Sequence, residues 1–74
     1  MNRNIATVAV EKTFFSIDSD FDYYIKPEQL NLIKIGSRVK VPFGNGNKLR
    51  EGIVVNIFSA INSSLKEIDS VIGD

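Results

Sequence analysis

Arg38-Val39-Lys40-Val41-Pro42-Phe43-Gly44, answered after a short gap by Glu51-Gly52-Ile53-Val54-Val55, is the stretch that decides the fold. Val39, Val41 and Phe43 fall on one side of an extended chain and Arg38, Lys40 and Pro42 on the other. That period of two is what a strand with one buried face requires. Gly44-Asn45-Gly46-Asn47 supplies residues that tolerate left-handed backbone. Residues 37–43 therefore predict a strand, 44–47 a hairpin turn and 51–58 the returning strand, with Ile53, Val55 and Ile57 assigned to one face. Pro42 has no N–H to give a neighbour, which places it on a sheet edge or at a strand terminus.

Working outward, residues 5–10 form a β-favouring run with apolar side chains on both faces, as in a central strand or one covered on both sides. Residues 11–20 end in Asp18-Ser19-Asp20 and read as a loop. Residues 21–25 predict another strand, with Phe21, Tyr23 and Ile25 on one face, Asp22 and Tyr24 on the other, and Pro27 closing it. Residues 28–35 fit either a helical turn through Leu30 and Ile33 or a loop, and Gly36 turns the chain. Ser64-Leu65-Lys66-Glu67 matches a helix capping box, while residues 68–72 fit a last strand equally well; both readings stand. The pattern predicts a mainly β fold: a small antiparallel, barrel-like sheet with room for one short helical turn, in a single domain spanning residues 1–74.

The chain has 74 residues and neither cysteine nor histidine. Disulfides, thiolate nucleophiles, imidazole bases and His–Cys zinc sites are excluded together. No apolar run approaches the roughly 18 residues of a membrane span, and the N-terminus lacks the apolar core of a signal peptide. These features predict a cytoplasmic protein. Nine basic and nine acidic residues cancel, but they are unevenly placed. Lys34, Arg38, Lys40, Lys48 and Arg50 lie between Gln29 and Arg50 with no acid among them, and Asp18, Asp20 and Asp22 cluster just before. A basic strip on a neutral domain suits phosphate; an ordinary solvated hairpin face has the same composition.

Enzyme chemistry finds no support. Asp18-Ser19-Asp20-Phe21-Asp22 opens like a calcium loop, but Tyr23 stands where that loop needs glycine and Gln29 where it needs glutamate. Gly44-Asn45-Gly46-Asn47-Lys48 is too short for a phosphate-binding Walker loop and leads into a strand rather than a helix. No catalytic residue, metal site or cofactor is expected. Binding chemistry is better served. Asp22 beside aromatic residues offers an acceptor to a hydroxyl donor and repels a phosphate, and aromatic rings stack bases for about 1–3 kcal/mol each. The competing structural roles are core packing for Phe21 and a strand-end hydrogen bond for Asp22.

Phe21-Asp22-Tyr23, Gly36-Ser37-Arg38-Val39-Lys40-Val41-Pro42-Phe43-Gly44, Gly52-Ile53-Val54-Val55 and Leu65-Lys66 carry a family resemblance, in order and spacing, from about Ile5 to Val71. Together they resemble the N-terminal 3′-DNA-end-binding domain of the bacterial replication-restart helicase PriA (primosomal protein N′). The resemblance implies a non-catalytic module that recognises the 3′-hydroxyl end of the nascent leading strand at abandoned forks. It further implies a longer protein whose ATP-hydrolysing helicase core lies outside this chain. The implied partners are DNA with a free 3′-hydroxyl end, forked DNA, that helicase core and other primosome proteins, in a bacterial cytoplasm.

By motif, the family's 3′-end pocket falls on Phe21, Asp22, Gly44 and Lys66. Asp22 would accept from the terminal hydroxyl, Phe21 would wall the sugar or base, Gly44 would admit the nucleotide to the backbone, and Lys66 would hold base or phosphate. Alternation sets the Phe21 ring opposite the Asp22 carboxylate; a strand end or bulge would reconcile the two, and otherwise Phe21 is mainly core. Arg38, Lys40, Lys48 and Arg50 are candidate phosphate contacts read from the residues themselves. Residues 11–20 and 28–35 depart from the family's pattern, the first by lacking a proline-rich stretch and the second by length. The rival reading is a protein-interaction module, a small β-barrel that receives a peptide on an open strand edge.

Overall fold

The computed structural model describes residues 2–11, 20–61 and 64–73. Among the described residues five strands follow one another: β1 (Arg3–Val10), β2 (Asp20–Tyr24), β3 (Arg38–Phe43), β4 (Lys48–Ala60) and β5 (Ser70–Gly73), with a 3-10 turn at Pro27–Gln29. They form one sheet in the order β2-β1-β4-β3-β5, every strand pair antiparallel. This is the mainly β antiparallel unit that the alternation predicts. The loop expected over residues 11–20 lies almost wholly outside the described residues, and so does Asp18 of the acidic run. Among the described residues no helix is long and apolar enough to cross a membrane.

β1 is an interior strand, in keeping with its two apolar faces, pairing with β2 on one side and β4 on the other. Ala6, Val8 and Val10 turn to the core with Val39, Val41 and Val54, all 0–1% exposed. Each buried valine contributes roughly 1.5–3 kcal/mol relative to leaving it in water. Ile5 turns the other way, opposite Tyr24 and Phe58, and the Arg3 guanidinium lies 3.7 Å from the Tyr24 ring centroid. The outer face thus carries a small covered cluster of its own.

The returning strand departs from simple alternation. Val8 pairs with Val54 but Thr7 pairs with Asn56, so Val55 is an inserted residue and the register shifts between Thr7 and Val8. Ile53 opposes Ala9 on the outer face, whereas Ile57 opposes Ala6. Ile53, Val55 and Ile57 therefore do not share one face, and the core position of this stretch is Val54. Gly52 is required where β4 passes β1, because a Cβ there would sit 2.8 Å from the Ala9 carbonyl oxygen and 2.5 Å from Val8 Cγ1.

The sheet curls until its two edges are joined by the chain entering β5. Tyr24 N–H donates to the Lys66 carbonyl (2.8 Å) and Ile68 N–H to the Tyr24 carbonyl (3.0 Å), a parallel contact with β2. One step later Asp69 N–H donates to the Lys40 carbonyl (2.9 Å), and β5 then runs antiparallel beside β3. The alternatives left open after Ser64 resolve to a strand, because two unpaired edges offer more hydrogen bonds than an isolated helical turn. Gln29 secures the seam from within: it accepts from Lys26 N–H (3.0 Å) and donates from Nε2 to the Ile68 carbonyl (3.2 Å). Among the described residues every buried side-chain nitrogen or oxygen has a partner.

Candidate nucleic-acid interface

The join between β2 and β3 is incomplete. β5 covers β3 only at residues 38–40, and the contact with β2 stops at Tyr24. Beyond those points the strands part, leaving a cleft of about 460 Å³ lined by residues 20–23, 42–44 and 64–66. Pro42 lies in this open stretch of β3, so its missing N–H deprives no neighbouring strand, and the edge position expected for it is explained. Its carbonyl accepts from the Tyr23 hydroxyl at 3.0 Å, bracing one wall of the cleft against the other. Burial of the Tyr23 phenol raises its pKa above 10.0 by desolvation.

Phe21, Asp22, Gly44 and Lys66, far apart in sequence, all line this cleft. Phe21 stands opposite Val8 on the core face and packs edge-to-face on Phe43, with ring centroids 5.0 Å apart and an interplanar angle of 76°. It is nevertheless 37% exposed, at the start of β2. Asp22 stands opposite Thr7 on the outer face, and the Thr7 hydroxyl donates to its Oδ1 at 2.7 Å. The two side chains do lie on opposite faces. Both residues line the cleft, which runs along the free edge of β2. Tyr24 shares the Asp22 face but is buried under Arg3, so its ring offers no stacking platform.

Gly44 opens the hairpin turn with φ +74°, and Asn47 closes it at φ +51°. Among the described residues, no atom beyond the adjoining residues lies within 4 Å of where a Gly44 Cβ would stand, so the space beside this backbone is open. The Gly44 carbonyl accepts from Asn47 N–H (3.2 Å) and from the Lys66 ammonium (2.9 Å). Lys66 thus bridges the cleft from the segment before β5 to the turn after β3, placing a positive charge at its mouth.

The four candidate phosphate contacts divide between two faces. Lys48 opposes Phe43 and Arg50 opposes Val41, which puts both on the side of the hairpin that turns toward the core and the cleft. Arg38 opposes Ile53 and Lys40 opposes Glu51, on the other side. Arg38 lines a separate depression of about 340 Å³ together with Glu11 and Glu51. Of the four, Lys48 lies nearest in sequence to the Gly44 turn. Sequence reasoning missed Thr7, the Tyr23–Pro42 brace and the Phe43 side of the cleft. The alternation that puts Phe21 and Phe43 on core faces was the available signal for the last.

A model of the 3′DNA-binding domain (3′BD) of PriA matches residues 7–74. The chain belongs to this family. No curated protein and no solved structure matches it. As a PriA 3′BD it is a DNA-binding domain of the replication-restart system, and the matched span includes all three segments that line the cleft. A cleft that pairs a carboxylate, a half-exposed aromatic ring and an ammonium suits a nucleotide, which brings a hydroxyl, a sugar and base, and a phosphate.

Proposed function

We propose that this domain binds the 3′-hydroxyl end of a DNA strand in the cleft between β2, the Gly44 turn and Lys66. Asp22 accepts a hydrogen bond from the terminal hydroxyl. Phe21 walls the terminal sugar and base, and the open backbone at Gly44 admits them. Lys66 holds the base edge or the penultimate phosphate. The observation that carries this reading is the convergence of Phe21, Asp22, Gly44 and Lys66 on one cleft, from three separate segments of the chain. A hydroxyl and a sugar are common to all four nucleotides, so recognition is independent of sequence.

In its biological setting the domain serves as the non-catalytic end-reader of a replication-restart helicase, engaging the nascent leading strand at a stalled fork. With zero net charge and few cations at the cleft, its own affinity is micromolar or weaker, with a salt slope corresponding to fewer than about five phosphates. A tethered helicase core supplies the remaining affinity by raising the effective concentration of the second contact.

The test is fluorescence anisotropy with a 5′-labelled oligonucleotide ending in either a 3′-hydroxyl or a 3′-phosphate, using wild type and Asp22→Ala. Preference for the hydroxyl that vanishes in the variant supports the reading. Equal affinity of wild type for both ends would reduce the cleft to a generic DNA surface, and no binding at high protein concentration would favour a peptide on the open strand edge.

A further inference from the structure

We propose that Thr7 is a positioning residue for end recognition: its hydroxyl sets the Asp22 carboxylate so that one oxygen is engaged and the other is presented to the DNA terminus. This rests on the reading of the cleft given above and adds the part that makes Asp22 selective. Thr7 and Asp22 are directly opposed in the β1–β2 ladder, and Thr7 Oγ1 donates to Asp22 Oδ1 at 2.7 Å. Among the described residues no donor reaches Oδ2, which is left as the acceptor for a ligand.

Three features make this bond a fixed one. A β-branched threonine is stiff at χ1, so its hydroxyl has a defined direction. β1 is an interior strand, held by ladders on both sides, whereas Asp22 stands exposed on an edge strand and has no other described partner to fix its rotamer. The inserted residue Val55 falls opposite the Thr7/Val8 step, and a bulge of this kind bends the strand and re-aims the neighbouring side chains. The irregularity in the middle of the sheet thus lies beside the residue that orients the cleft's carboxylate.

A hydroxyl has one proton to give, and Thr7 gives it to Asp22. Without that bond the carboxylate swings among rotamers and meets an incoming hydroxyl only part of the time. The loss falls on discrimination between termini, because the contacts of Phe21, Gly44 and Lys66 are untouched.

The experiment compares wild type, Thr7→Val and Thr7→Ser on 5′-labelled oligonucleotides ending in a 3′-hydroxyl or a 3′-deoxy sugar. The ratio of the two affinities is the readout, together with the Asp22 χ1 couplings from NMR. Thr7→Val is expected to lower the ratio by about threefold to tenfold, the range of one hydrogen bond, and to average the couplings. Thr7→Ser, which keeps the donor, is expected to retain most of both. If valine disturbs the bulge, Thr7→Ala serves in its place with the same expectation. A Thr7→Val protein with the wild-type ratio, or a Thr7→Ser protein as impaired as Thr7→Val, overturns the positioning role while leaving the cleft reading intact. A wild type indifferent to the terminal hydroxyl overturns that reading, and the inference with it.

Discussion

The Lys66 ammonium donates to the Gly44 carbonyl at 2.9 Å, linking the segment that enters β5 to the turn that leaves β3. The two groups are side by side only because the sheet has curled and its edges have met at Tyr24 and Lys40. The bond spans the mouth of the cleft and holds a cation there in the absence of DNA.

Removing that cation tests its role directly. Lys66→Met keeps the aliphatic stem and discards the charge. We expect DNA-end affinity to fall by about tenfold, the scale of a lost hydrogen bond to a charged group. The salt slope should flatten by about one if the ammonium meets phosphate. Lys66 is exposed, so the thermal midpoint should move little, as is usual for surface substitutions. An unchanged titration curve would remove Lys66 from the interface.

Gly44 answers to two demands that substitution can separate. Its φ of +74° costs a residue with a Cβ roughly 1–2 kcal/mol. The space beside it is open, and on the proposed reading the terminal nucleotide fills it. Gly44→Ala should lose stability and end binding together. Gly44→Asn should recover most of the stability, since asparagine tolerates this conformation as Asn47 does in the same turn at φ +51°. It should still bind poorly. Denaturant melts paired with anisotropy read the two effects, and an asparagine variant that binds like wild type would show that only the backbone angle matters.

What could be read in the sequence was local. Val39 and Val41 alternate with Arg38 and Lys40 because one face of β3 is buried, and a period of two survives without knowledge of the partner strand. The Gly44–Asn47 turn was equally visible, since positive φ selects its residues. The inserted residue at Val55 was not legible, because a bulge exists only relative to β1. Nor was the fate of Ser64: its capping pattern is genuine chemistry, but the competing bonds come from Tyr24 and Lys40, distant in sequence. The four candidate residues were named through resemblance, while their meeting at one cleft depends on curling the sheet. The Asp22 partner Thr7, fifteen positions away, could not be paired with it until the β1–β2 register was known.

Tyr23 links stability to pH. Burial raises its phenol pKa above the unfolded value of 10.0, so the folded state keeps its proton longer than the unfolded one. The folded protein then binds more protons in the window above pH 10.0, and stability falls as pH rises through it. Below that window the contribution is fully present. Tyr23→Phe removes both this dependence and the bond to the Pro42 carbonyl. It should cost about 0.5–1.5 kcal/mol at neutral pH, and its alkaline decline should be shallower than that of wild type. Urea melts at a series of pH values compare the two slopes. Parallel slopes would mean that the phenol ionises alike in both states.

The division of the hairpin cations gives the sharpest contrast between surfaces. Lys48 opposes Phe43, whose ring packs on Phe21 at the cleft, while Lys40 opposes Glu51 on the other side of the same two strands. A DNA strand whose 3′ terminus sits between Phe21 and Gly44 can lay its next phosphates toward Lys48, but it cannot reach Lys40 without crossing the sheet. Lys48→Ala should therefore weaken binding of a 3′-hydroxyl oligonucleotide several-fold and reduce the salt slope by about one. Lys40→Ala should leave both unchanged. Neither position is buried, so the two variants should melt like wild type, and differences in binding will not be confused with unfolding. Equal losses from the two substitutions would mean that the charge acts as a diffuse field over the domain. A loss from Lys40→Ala alone would place the strand on the outer face, with Arg38, and away from the cleft.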